Sequence, residues 1–391
     1  MKKDIKKFTW PMWPIFFKEE GSKIKEVLHS NILFNGNETK NLEKEFSRYN
    51  KSKHVTVVGN ATQGLHLALA ALGIGAGDEV IVTNYSWIST ASCILMQNAI
   101  PVFVDIEPRY LSIDISQIEK KINPRTKAII YVHMFGFISN ANKLAKLAKK
   151  YKIKLIEDAS HAHGASYKNI KAGNFGDIAV LSMQQRKNLC CGDGAIVVCK
   201  NKNLCKKIYQ LRSFGSKELS YNYRISEISA SIARVRLKRL DHENKKRNEI
   251  VKKIEKKLNN LSNITILKPM KNTYAVYYKL IFFYNYKYFK KNLNFFIKYM
   301  NQNKIPITKT YRPLNLHPNF NLDYVPPRGT TWIKPFTKKK FPKKMRYLNL
   351  PVTNEISLRK AFQINIPPYL SDEHINYFAK HIKKYVISYK K

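Results

Sequence analysis

Through its first half the chain alternates short, near-continuous apolar runs with helix-length amphipathic segments, and that rhythm admits few folds. The runs fall at 54–58, 79–83, 101–105, 127–133 and 153–157, with two more at 177–183 and 195–198. Between them lie helical patterns at 62–72, 86–98 and 140–151. Apolar strands separated by helices of this length predict an α/β fold, a mostly parallel sheet covered on both faces in three α/β/α layers. Ligands in such sheets sit at the carboxyl ends of the strands. From about residue 225 the pattern becomes one long helix reaching 259. A smaller C-terminal α+β unit then begins, with a strand at 274–283, a helix at 288–303 and a closing helix from Ser371. The division expected is a large domain over 1–260, N-terminal segment included, and a small one over 261–391. Pro326-Pro327-Arg328-Gly329 reads as an exposed loop.

The 391 residues are 44% hydrophobic and 12% aromatic, enough for a packed core and incompatible with global disorder. No run of about 18 uncharged apolar residues occurs, so no membrane-spanning helix is expected. The start, with Lys2, Lys3 and Asp4, lacks the apolar stretch of a secretion signal, which points to the cytoplasm. Five cysteines at irregular spacings fit reduced thiols rather than a disulfide framework or a zinc site.

Charge is the anomaly. Seventy Lys and Arg face 27 Asp and Glu, for a formal net charge of +43. Such a field favours anionic partners such as nucleotide diphosphates, nucleic acid or acidic lipid. Basic residues thicken at 245–257 and at 333–347, where seven occur without an acid. A solvated face accounts for such runs as well as a polyanion site does.

Four positions at strand ends or helix starts can carry chemistry. Gly59-Asn60-Ala61-Thr62 follows a strand and opens a helix, where free N–H groups and the Thr62 hydroxyl suit either a helix cap or a bound phosphate. Asp158 ends the strand at 153–157. It could cap the next segment or hold a proton on a pyridine nitrogen. His161 and His163, two residues apart, lack the spacing of a helical zinc pair, and no metal is expected. Lys187 stands between a strand and the turn Gly192-Asp193-Gly194; it fits a surface loop or an imine-forming amine. Ser182 could add a phosphate contact, and Trp87 could sit in the core or stack on a planar ring.

Taken in order, these segments resemble the DegT/DnrJ-type (StrS-like) sugar aminotransferases, a branch of the fold-type I pyridoxal-phosphate enzymes. The resemblance is carried by Leu33-Phe34-Asn35-Gly36, Gly75-Ala76-Gly77-Asp78-Glu79-Val80, Val132-His133-Met134-Phe135-Gly136, and above all Glu157-Asp158-Ala159-Ser160-His161-Ala162. Ser182-Met183-Gln184-Gln185-Arg186-Lys187-Asn188-Leu189, Tyr221-Asn222-Tyr223-Arg224 and Leu240-Asp241 continue it across nearly the whole chain.

That resemblance implies a Schiff base on Lys187, which also serves as general acid and base, and a pairing of Asp158 with the pyridinium nitrogen. His161 would meet the ring's phenolic oxygen, and Trp87 would stack on the ring. Ala61, Thr62, Ser182 and Gln184 would hold the phosphate. Asn222 would reach the neighbouring subunit's cofactor, implying a homodimer with shared active sites. Arg224 and His317 fall near the expected substrate pocket. The implied reaction passes an amino group from L-glutamate or L-glutamine, through pyridoxamine phosphate, to a keto sugar, nucleotide-linked by preference, with a keto-inositol as the alternative. Ala61 replaces a usual glycine, Asp193 and Ala195 replace a usual Glu and Gly, and Met183 replaces a usual aromatic. The related dehydratases carry histidine in place of Lys187. A non-catalytic polyanion-binding protein on the same fold is the rival of another class, and nucleic acid is not the expected partner.

Overall fold

A computed structural model describes residues 8–214, 219–320 and 348–391. The basic run at 333–347 and the Pro326-Pro327-Arg328-Gly329 loop lie outside the described residues.

The alternating runs form β1 (His54–Val58), β2 (Glu79–Thr83), β3 (Ile100–Val104), β4 (Thr126–Val132) and β5 (Lys154–Asp158). A hairpin of β6 (Ser166–Tyr167) and β7 (Ile170–Lys171) precedes β8 (Ile178–Ser182) and β9 (Ala195–Cys199). Seven of these strands make one sheet in the order β1-β9-β8-β5-β4-β2-β3. It is mainly parallel, as expected, except that β9 runs antiparallel to both β1 and β8.

Successive strand residues point to opposite faces, and the burial pattern follows. Val57, Ile129, Leu155 and Leu181 enter one core, where they meet Leu42 and Phe46 of α2 (Asn37–Asn50), which follows α1 (Lys18–His29). Val58, Ile130, Ile156 and Val180 enter another. There they meet Leu65 and Leu69 of α3 (Ala61–Ala71) and Ile94 of α4 (Ser89–Met96). After the short α5 (Ile115–Ile118), α6 (Ala141–Lys150) covers the first face and α7 (Lys202–Arg212) the second. This is a three-layer arrangement.

The helix α8 (Glu227–Leu258) joins the two parts of the molecule. Its Ala230, Ala233, Leu237 and Leu240 pack under the large sheet. Its Ile250, Val251, Ile254 and Leu258 belong to a second core. That core lies on an antiparallel sheet ordered β10-β12-β14-β13, formed by β10 (Ile264–Ile266), β12 (Leu280–Tyr284), β13 (Thr308–Lys309) and β14 (Ala361–Ile364). The remaining strand, β11 (Thr273–Tyr274), pairs with β6. Phe282, Phe296, Phe362, Phe378 and Tyr385 fill the second core between the sheet, α9 (Leu293–Gln302) and the last helix, α11 (Asp372–Tyr389), which follows α10 (Pro351–Glu355). The first described residues pack here too: the Phe8 ring stacks 3.8 Å from Tyr377, and Trp10 Nε1 donates to the Asn365 carbonyl.

Three boundaries differ from the sequence reading, each for a local reason. The helix read at 86–98 starts at Ser89. Tyr85 N donates to Thr83 Oγ1, and the Ser86 and Thr90 hydroxyls pair, so the residues before Ser89 form a turn. The strand read at 274–283 is broken at Tyr277, whose φ of 45° no strand accommodates. The helix read at 288–303 begins at Leu293, because the Asn292 side chain accepts the N–H of Phe295 and caps it.

Glu157, fully buried beside Asp158, ties the sheet to the loop that follows β7. Its carboxylate accepts the N–H groups of Gly173, Phe175 and Gly176 at 2.7–2.9 Å and lies 2.7 Å from His133 Nε2. Glu157→Ala strands those donors in an apolar interior. We expect it to lower unfolding free energy by about 3–5 kcal/mol in a denaturant titration.

Candidate active site

Four of the chemistry-bearing segments meet at the carboxyl edge of the large sheet. Asp158 is the last residue of β5 and pairs in register with Val180 of β8, two residues before Ser182. The loop after β8 carries Gln184 and Lys187. β1 runs in the same direction as β8, since both oppose β9, so α3 starts at this edge with Ala61 and Thr62 in its first turn. β2 ends here as well, just before Trp87.

Asp158 is buried and accepts one hydrogen bond on each oxygen. Thr90 Oγ1 donates to Oδ2 at 2.7 Å, and the Ser160 N–H donates to Oδ1 at 3.2 Å. The half-buried Lys187 places its Nζ 4.6 Å from the centroid of the Tyr278 ring. Burial pulls its pKa down to about 8, against the attraction of Asp158 and with the help of the Lys279 charge.

His161 stacks on the same Tyr278 ring at 4.1 Å and 11°. His161 Nδ1 accepts the Phe135 N–H, so its proton resides on Nε2, 3.3 Å from the Tyr311 hydroxyl. Burial first, then the charges of Lys187 and Lys279, hold its pKa well below the ordinary histidine value, so the ring is neutral. Tyr311 reaches the site because its segment is clamped to the end of β2. Leu314 N donates to the Asn84 carbonyl, Asn315 N donates to Asn84 Oδ1, and Asn84 Nδ2 donates to Asn315 Oδ1. Trp87, 59% exposed, meets Tyr311 edge-on at 6.2 Å, leaving most of its ring open.

The N-terminus of α3 brings free backbone donors to the same edge. Asn60 caps it by accepting the Gln63 N–H, which leaves the N–H groups of Ala61 and Thr62 at the unpaired start of the helix. The Thr62 hydroxyl donates to Ser89 Oγ at 2.8 Å. At Gly59 an added Cβ would meet the tip of the Gln63 side chain and lie 3.3 Å from the Arg224 carbonyl, a tight fit that a shift of Gln63 would relieve in part. Ser182 is buried with its Oγ facing the Gln184 N–H, whereas the exposed Gln184 turns its Oε1 onto the Arg186 N–H.

The remaining expected residues stand apart from this group. Asn222 Oδ1 accepts from Arg224 Nε, and the Arg224 guanidinium lies over Phe34 and Phe214. His317 accepts the Asn319 N–H and faces Phe320. The structure adds residues that the sequence reading missed: Thr90, Tyr278, Lys279 and Tyr311. Thr90 sits inside an expected helix, Tyr278 inside an expected strand and Tyr311 in a loop, so no pattern marked them as site residues. Among the described residues no cluster of His, Cys, Asp and Glu is built to hold a metal.

A buried carboxylate, an amine of depressed pKa, a neutral imidazole, an open indole and a helix N-terminus suit a planar ring that carries an anionic group. A family model described as the DegT/DnrJ/EryC1/StrS aminotransferase family matches residues 15–383. The uncharacterized protein MJ1066 of Methanocaldococcus jannaschii is 35% identical over 80% of this chain and 85% of its own length. The GDP-perosamine synthase of Caulobacter vibrioides is 37% identical over 58% of this chain and 63% of its own. Among solved structures, DesV of S. venezuelae in complex with a ketimine intermediate superposes with a TM-score of 0.83, at 27% identity, over 94% of each chain.

In the protein free of small molecules, Lys187 reacts as the neutral amine, the form that grows as pH rises through its pKa. Its rate of reaction with an aldehyde should therefore climb through about pH 8 and level off above it. Removing the Asp158 charge with Asp158→Asn takes away the one influence that raises this pKa, so the midpoint should move to lower pH. A stopped-flow pH profile of both proteins measures it.

Proposed function

We propose that this chain, which belongs to the DegT/DnrJ/EryC1/StrS aminotransferase family, moves an amino group from L-glutamate or L-glutamine to a nucleotide-linked keto sugar. Members of the family are aminotransferases dependent on pyridoxal phosphate. The cofactor, when bound, supplies an electron sink for carbanion chemistry, and the residues present fit it. The observation that carries the reading is the convergence of Asp158 and Lys187 on one sheet edge, with the amine tuned by the carboxylate.

In this reading Asp158 keeps a proton on the ring nitrogen, and its bonds from Thr90 and Ser160 hold the carboxylate in place. Neutral His161 donates from Nε2 toward the ring oxygen. Trp87 covers one face of the ring. The Ala61 and Thr62 N–H groups, the Thr62 and Ser182 hydroxyls and Gln184 hold the phosphate. Lys187 Nζ would take the proton from the α-carbon of the donor and return it to the cofactor carbon bonded to the donor nitrogen, two bonds away. The two half-reactions share this lysine, so turnover is ping-pong.

A nucleotide-linked acceptor is supported by the likeness to GDP-perosamine synthase and by the charge of +43. Arg224 and His317 are the residues we assign to its pocket. A homodimer with shared sites is supported by the apolar surface that Leu33, Phe34 and Phe214 leave exposed around Asn222 and Arg224.

With pyridoxal phosphate the wild-type protein should show a visible absorbance band that borohydride fixes onto Lys187 and that glutamate or glutamine bleaches. Lys187→Ala should lose the band and all turnover; an active Lys187→Ala enzyme overturns the assignment. A panel of nucleotide-linked keto sugars, free keto sugars and keto-inositols, read by product mass, tests the acceptor. Turnover confined to keto-inositols would refute the nucleotide-linked reading. Phe34→Glu should shift the protein toward monomer in analytical ultracentrifugation and lower activity at least tenfold if sites are shared.

A further inference from the structure

Beside Lys187 lies a second amine with no part in the chemistry above. Lys279 directly precedes β12, and its half-buried Nζ donates to Asn365 Oδ1. It lies 5.3 Å from the centroid of the same Tyr278 ring that Lys187 faces at 4.6 Å. Its one hydrogen-bond partner is a neutral amide, and among the described residues no carboxylate forms an ion pair with it. Next to it, Tyr278 and Asn365 line a nook of ≈ 10 Å³, room for about one water, together with Arg186, Arg247, Trp13 and Asn188. Arg186 also makes no ion pair among the described residues, whereas Arg247 lies 4.0 Å from Glu243. A cation lodged in protein without a counter-ion is costly. Here burial and Arg186 together pull the Lys279 pKa down to about 8, the mark of a missing negative charge.

We propose that Lys279, with Arg186, forms an anion subsite that receives the carboxylate of the amino-acid donor. This rests on the aminotransferase reading and adds to it the group that orients the donor. An amino acid whose nitrogen approaches Lys187 carries its carboxylate two bonds from that nitrogen, and a keto sugar has no such group beside its reacting carbon. A carboxylate bridging Lys279 and Arg186 completes their charge and, by cancelling the Lys279 field, makes Lys187 a better proton acceptor once the donor is in place. Lys279 thus acts on specificity by direct contact and on Lys187 through space.

The test uses the cofactor-loaded enzyme and two variants, Lys279→Met and Lys279→Arg. In single-turnover reaction with L-glutamate, Lys279→Met should raise the half-saturating concentration by about tenfold or more, the usual weight of a charge-assisted hydrogen bond. Lys279→Arg should restore at least part of it. The half-saturating concentration of the keto acceptor should stay within about twofold. A spectroscopic readout is independent of turnover. The pH midpoint of the lysine-bound cofactor band should rise in Lys279→Met, because a neighbouring positive charge has gone, and fall back in Lys279→Arg. An unchanged glutamate dependence, or a shift confined to the keto acceptor, overturns the subsite. The parallel Lys187→Ala control separates the two claims: a band that survives there refutes the aminotransferase reading itself, whereas a band lost there leaves only the subsite at stake. Should Lys279→Met fold poorly, Arg186→Gln, at an exposed side chain, carries the same expectation at smaller size.

Discussion

A carboxylate sealed at the end of a sheet strand is the constraint on which the rest of the site depends. Asp158 is buried, and its carboxylate is held in place by the Thr90 hydroxyl and the Ser160 N–H. Its charge opposes the burial and the Lys279 field that both disfavour a proton on Lys187. The neighbouring Glu157 does a different task with the same side-chain type: it anchors the backbone of the loop after β7 and leaves Asp158 free to face the ligand edge. Adjacent positions on a strand point to opposite faces, and that simple alternation turns one acid onto the loop backbone and the other toward Thr90 and Ser160.

The architecture was legible because strand length and helix length differ and the apolar runs kept to them. The register of the sheet and the antiparallel course of β9 were not, because near-continuous apolar runs carry no sign of direction. Asp158 and Lys187 were readable as a pair only through the wording around them. In a chain with 70 basic residues, a lysine between a strand and a glycine turn is unremarkable alone. Thr90, Tyr278 and Tyr311 were illegible for a physical reason. Each is brought to the site by a distant partner: Thr90 by Asp158, Tyr278 by stacking on His161, Tyr311 by the Asn84–Asn315 clamp. Local pattern holds no information about such pairings.

The excess of positive charge also takes on a clearer shape. Arginines at the junction of α1 and α8 are matched by acids: Glu20 and Glu243 lie within ion-pair distance of both Arg236 and Arg239. Around Lys187 the balance fails, with Lys279 and Arg186 unmatched among the described residues. A rival reading as a non-catalytic polyanion binder places the weight on surface charge. It does not account for a half-buried, unmatched lysine set beside an amine of depressed pKa.

One consequence lies in α8. Its 32 residues span about 48 Å without a proline or glycine, the usual causes of a kink. One end is rooted beneath the large sheet and the other in the aromatic core of the small one. Such a rod couples the two units as a girder does. Swinging the small sheet away as a body would require bending it. Admission of a bulky acceptor therefore falls to the loops at the carboxyl edge of the large sheet, and selectivity among acceptors can change by loop replacement while the frame stays as it is.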